Sequence, residues 1–150
     1  MQKRIPLPNG TTIWVSPSVD PTLAAPALSD PSWIEIQRVT SLTHSGGDEK
    51  FATSSPLASY VDKRVPAGRN LLDIQMAFQD DPESAHFAAI KEGRDSRSAL
   101  AWQFKLPGGQ SSIVFTGYAS GSLIPVLDRN QLMVINLFIA VNGIPARITA

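Results

Sequence analysis

From Leu100 to Ser120 the chain reads LAWQFKLPGGQSSIVFTGYAS, and no other stretch constrains the fold as tightly. Leu100, Trp102, Phe104 and Leu106 fall on one side of an extended backbone, with Ala101, Gln103 and Lys105 on the other. Pro107-Gly108-Gly109-Gln110 then reverses direction, and Ile113 and Phe115 return opposite Val114, Thr116 and Tyr118. Period-two alternation on both sides of a Pro/Gly turn predicts a β-hairpin. An isolated two-stranded hairpin is marginal in water, so its apolar face demands further strands.

The rest of the chain supplies them. Thr11 to Ser16 (TTIWVS) has the β-branched and aromatic content of a strand. Trp33 to Thr43 reads as a second, with Trp33, Glu35, Gln37 and Val39 on one face and Ile34, Ile36, Arg38 and Thr40 on the other. Between them, Pro17 to Pro31 holds four prolines, with Leu23 and Leu28 as anchors, and fits neither helix nor strand. Asn70 to Phe78 alternates again, with Leu72, Ile74, Met76 and Phe78 on one face and Asp73, Gln75 and Ala77 on the other. Arg129 to Gly143 is a last strand too apolar for one wet face.

One helix is predicted, with Asp81 as N-cap, Pro82 in the first turn and Gly93 as the stop. Phe87 and Ile90 point inward and His86 lies on the helix surface. The stretch from His44 to Arg69 keeps neither period and reads as a long connection, yet Phe51, Leu57, Tyr60 and Val61 are apolar. Apolar side chains in a long loop suggest that it lands on something. The fold class is therefore mainly β: an antiparallel β-sandwich or barrel with one flanking α-helix and a long inter-strand loop. A length of 150 residues suits one domain, 1–150, with an N-terminal arm (1–10), the loop (44–69) and a C-terminal tail (144–150).

Chemistry is scarce. Thirteen basic and thirteen acidic residues cancel, so no net field draws the chain to nucleic acid or an anionic membrane. Without cysteine there is no disulfide, thiolate metal site or cysteine nucleophile. The basic start has no apolar run behind it, and Leu132 to Val141 is too short for a membrane helix. His44, Ser45 and Asp48 are triad residue types, but a triad is known by geometry. Neither histidine has a partner at metal-ligand spacing. LPGGQ lacks the Lys-Ser/Thr of a phosphate loop and precedes a strand. Asp80 and Asp81 suit a helix cap, and Glu92, Arg94, Asp95 and Arg97 form a mixed-charge cluster with either a surface or an inter-subunit role. Trp14, Trp33 and Trp102 sit at strand positions, as core or as a carbohydrate platform. These residues argue for a binding or assembly module, not an enzyme, and call for no cofactor or metal.

The ordered set of segments resembles the major tail tube protein of long-tailed, non-contractile bacteriophages. The likeness rests on the Thr-rich strand Thr11 to Val15, Trp33 opening the next strand, Gly68 before the post-loop strand, the hairpin Phe104 to Gly117 with its Phe-Thr-Gly return, and Asn142 to Pro145. It implies a β-sandwich that forms hexameric rings, stacked into a tube whose β-barrel lumen conducts DNA during ejection. It implies subunit contacts at Phe51, Leu57, Tyr60, Val61, Arg64, Arg94, Asp95 and Arg97, and a lumen face including Glu35, Gln37, Asp73 and Gln75. Its implied partners are copies of itself, tail tip, tape-measure and tail terminator proteins, with DNA only in passage and no membrane. The implied place is the virion tail, assembled in the host cytoplasm. Two other readings stand beside it: another ring or tube component, such as a secretion-system tube protein or tail terminator, and a carbohydrate-binding β-sandwich.

Overall fold

A computed structural model describes residues 10–19, 25–28, 30–58, 60–107, 111–130 and 132–149. The N-terminal arm apart from Gly10, the anchor Leu23 and the Gly108-Gly109-Gln110 part of the predicted turn lie outside the described residues. The described elements are β1 (Thr12–Ser16), β2 (Ile34–Ile36), β3 (Val39–Ser45), β4 (Glu49–Ser54), β5 (Lys63–Arg69), β6 (Asp73–Gln79), α1 (Ala85–Ser96), β7 (Leu100–Lys105), β8 (Ser111–Ser120) and β9 (Val134–Thr149). Among the described residues seven strands form one antiparallel sheet in the order β2-β1-β7-β8-β9-β6-β3, and β4 pairs only with β5.

The two edge strands of the large sheet are consecutive in sequence. The stretch from Trp33 to Thr43, expected as one strand, is broken at Gln37 and Arg38, where Arg38 adopts φ 60°. Before the break β2 pairs with β1; after it β3 pairs with β6 at the far side of the sheet. A two-residue link between opposite edges forces the sheet to curl on itself like a barrel that has not fully closed.

The predicted hairpin is present, running from Leu100↔Gly117 to Lys105↔Ser112. Its inward face joins the main core, where Val15, Met76, Phe78, Ile90, Trp102, Ile135 and Leu137 are completely buried. Trp102 satisfies its indole by donating to the Gly117 carbonyl at 3.3 Å. Gly117 itself is required by close approach, because a Cβ there would lie 2.7 Å from the Ala140 carbonyl oxygen of β9. A smaller cluster on the outward face packs Trp33, Ala101 and Val114 with Trp14, Val19 and Ala25. Val19 and Ala25 of the Pro-rich connection thus cover part of this face, and Gln103 is buried although it sits opposite the core face.

The helix corrects three expectations. Its N-cap is Ser84, whose Oγ accepts from Phe87 N, while the Asp81 carbonyl accepts from Ser84. It runs past Gly93 to Ser96 and ends on Arg97 in the left-handed region, and Gly93 serves close approach instead: a Cβ there would collide with Leu100 of β7. His86 is buried, not on the surface, with its ring edge-on to Phe78 at 5.6 Å between centroids. Burial lowers the His86 pKa from its ordinary 6.5, opposed by the Asp81 charge.

The final strand is longer than its apolar core. Residues 144–149, expected as a tail, continue β9 and pair with β8 as far as Ser111↔Thr149. The register shifts between Val114↔Ala146 and Thr116↔Asn142, so residues 143–145 form a bulge, a position where proline is tolerated within a sheet.

Candidate assembly surfaces

Beyond the covered part, the outward face of β8, β9, β6 and β3 is open. Strand alternation and register bring Tyr118 and Ser120, Asn136, Phe138 and Ala140, Asp73 and Gln75, and Thr43 and Ser45 to this side. Asp73 is the sole formal charge among these nine residues, and no cation is present among them. Phe138 is 47% exposed, so β9 is not buried on both faces within one chain as its apolar sequence suggests. A shallow groove of about 440 Å³ crosses the face between Thr43, Asp73, Gln75, Ser120 and Phe138. Asp73 and Gln75, two of the four expected lumen residues, therefore lie together. Glu35 does not join them: it pairs with Trp14 on β2, at the opposite edge, and Gln37 is in the exposed link.

The stretch expected as a long loop is an arm. β3 extends through Ser45, and after Gly46 and Gly47 the strands β4 and β5 pair from Glu49↔Arg69 to Ser54↔Lys63. Gly46 has φ 84°, and a Cβ on it would meet the Leu71 carbonyl oxygen, so the turn at the arm's root depends on glycine. Arg69 Nε pairs with Glu49 Oε1 at 2.9 Å across the root, and Ser55 Oγ donates to Asp62 Oδ1 at 2.6 Å near the tip. Every residue of β5 is exposed, including Arg64 and Val65. Phe51, Leu57, Tyr60 and Val61 are exposed too, Leu57 and Tyr60 completely so. Alternation fails in β4 and β5 because neither face meets a core, which is why the sequence pattern hides these strands.

The helix cluster turns inward on its own chain. Arg94 Nη2 pairs with Asp95 Oδ1 at 2.9 Å, and Arg94 Nη1 donates to the carbonyls of Gly121 and Ser122 at 3.1 and 3.0 Å. Arg97 is the C-cap. The segment that Arg94 holds, between β8 and β9, exposes Ile124, Leu127, Leu132 and Met133. This patch is missing from the sequence-based contact set; its signal is the apolar run Leu123-Ile124-Pro125-Val126-Leu127.

A further opening lies where the curl is incomplete. β2 has only three residues, so past Ile36 β1 and β3 face each other across a slot of about 900 Å³ with an apolar wall. His44 lines this slot, and Ser45 follows it directly on β3, where alternation turns neighbouring side chains to opposite faces of the sheet. Ser84 Oγ lies 3.3 Å from His86 Nε2, but that hydroxyl donates to the Asp81 carbonyl and caps the helix. Trp33 and Trp102 are buried and Trp14 lies under Lys105 Nζ at 4.5 Å, so the tryptophans form no open platform. Among the described residues no three His, Asp or Glu side chains are grouped to hold a metal.

A family model described as "Phage tail tube protein, TTP" matches residues 22–150. The fold is similar to a chain in the tail of an empty GTA particle determined with C6 symmetry, at 16% identity and TM-score 0.65, covering 95% of this chain and 98% of that one. It is also similar to a chain of the anti-feeding prophage baseplate (9% identity, TM-score 0.65, 99% and 98% covered) and to one of the anti-feeding prophage tube-terminating cap (15%, 0.60, 100% and 95%). No curated protein sequence matches the chain.

Proposed function

The chain belongs to the phage tail tube protein family and is a structural subunit of a tail tube, and from that membership we propose that it polymerises into stacked six-membered rings. In this reading the open face carrying Asp73 and Gln75 lines a lumen through which DNA leaves the particle. A face that carries one acidic group and no cation lets a polyanion pass without holding it. Tail tip, tape-measure and tail terminator proteins meet the ends and interior of the tube in the virion tail, and the subunits assemble in the host cytoplasm.

The observation that carries the proposal is the arm. A two-stranded ribbon exposed over nearly its whole length is marginal in water without a surface to pack on. Its exposed apolar side chains ask for a partner, and a second copy supplies one in every subunit. The sixfold symmetry named for the similar particles supports the ring size. Negative-stain microscopy and sedimentation of the purified protein test this: tubes or stacked rings should appear with rising concentration. Deleting Gly46 to Ala67 should leave a folded monomer that forms neither. A full-length protein that stays monomeric at high concentration under varied conditions would refute the assignment.

A further inference from the structure

We propose that the slot between β1 and β3 is the socket for the arm tip of a second copy, with Leu57 and Tyr60 as the side chains that enter. This rests on the reading that the chain polymerises, and it assigns both halves of the contact.

The socket is apolar in its depth, with Ile13, Leu42, Leu72, Phe104 and Phe115 in the wall, and polar at its mouth, where Thr40 and His44 stand. A tyrosine suits such a site because its ring needs apolar walls while its hydroxyl needs a hydrogen-bond partner. Leu57 and Tyr60, both completely exposed at the turn between β4 and β5, are the matching pair on the arm. A cavity of about 900 Å³ has room for both.

The chain's own arm does not reach. It leaves from Gly46 and Gly47, on the slot's rim, and six residues of β4 at about 3.3 Å each carry the tip about 20 Å away. Folding back would break the β4–β5 ladder. A neighbour's arm meets no such obstacle, and plug and socket at different places on one chain make a head-to-tail contact that repeats from copy to copy.

The absence of cysteine makes the test direct. Tyr60→Cys combined with Leu42→Cys, assembled and mildly oxidised, should give a ladder of disulfide-linked multimers on a non-reducing gel. Tyr60→Cys with Tyr118→Cys on the open face should give none, and Thr40→Cys at the exposed rim replaces Leu42→Cys if that variant unfolds. Leu42→Trp, which fills the slot, should raise the concentration needed for assembly at least about tenfold without changing the monomer's circular dichroism. Tubes that form while Tyr60→Cys links only to Leu127→Cys, or to nothing, overturn the socket and leave polymerisation standing. A bridge between Leu42→Cys and Leu7→Cys would assign the slot to the N-terminal arm and equally overturn the proposal. If the wild-type chain never polymerises, the underlying reading fails instead.

Discussion

Gly93→Ala sets two effects of known size against each other. In a helix interior alanine is favoured over glycine by about 0.8–1 kcal/mol, so propensity alone predicts stabilisation. The contact predicts the reverse. A Cβ on Gly93 would lie 2.7, 2.8 and 2.9 Å from Leu100 Cδ1, Cγ and Cδ2. Because Cγ is among them, turning the end of the side chain does not relieve the overlap. Leu100 is 2% exposed and anchors β7, so it cannot swing into solvent. Overpacking of this kind costs about 1–3 kcal/mol, so the variant should lose about 1 kcal/mol net, or about 2–4 °C in Tm. Urea unfolding of dilute monomer, followed by circular dichroism, measures it. In a Leu100→Ala background, itself lower by about 2–5 kcal/mol, the clash is gone and Gly93→Ala should become stabilising. A stabilised single variant, or the same sign in both backgrounds, would refute the close-contact account.

Three further outcomes follow from the same geometry. His86 is held below its ordinary pKa by burial, so the unfolded chain takes up its proton first; stability should fall as pH drops below about 6.5, and His86→Phe should flatten the Tm–pH profile there. Gly46→Ala forces a side chain into the left-handed region and against the Leu71 carbonyl, a strain of about 1–3 kcal/mol; amide exchange should quicken in β4 and not in β7, and assembly should weaken. Asp73→Lys with Gln75→Lys should leave tube formation within about twofold but slow DNA release from particles, read by dye access to the DNA, since cations bind phosphate; loss of tubes would move these residues from lumen to subunit interface.

The sequence shows most clearly what a single chain buries. The hairpin from Leu100 to Ser120, the alternation of β6 and the inward Phe87 and Ile90 all have one face on the core, so period and position agree. What escaped it depends on other segments or on other molecules. Gln103 looks outward-facing yet is buried on the side of the second apolar cluster, and His86 looks like a helix-surface residue until Phe78 packs on its ring. The arm strands lack alternation because neither of their faces meets a core. Glu35 parted from Asp73 because a positive φ at Arg38 sends the chain from one edge of the sheet to the other, and no local pattern announces that turn.

The slot also has a consequence in time. Its wall takes Ile13 from the first strand and Pro145 from the last, so it does not exist until nearly the whole chain has been synthesised and paired. On the docking scheme above, a nascent or half-folded chain carries an arm but offers nothing for another arm to enter. On that scheme it would cap a growing tube without extending it, and elongation would wait on subunits whose first and last strands have met.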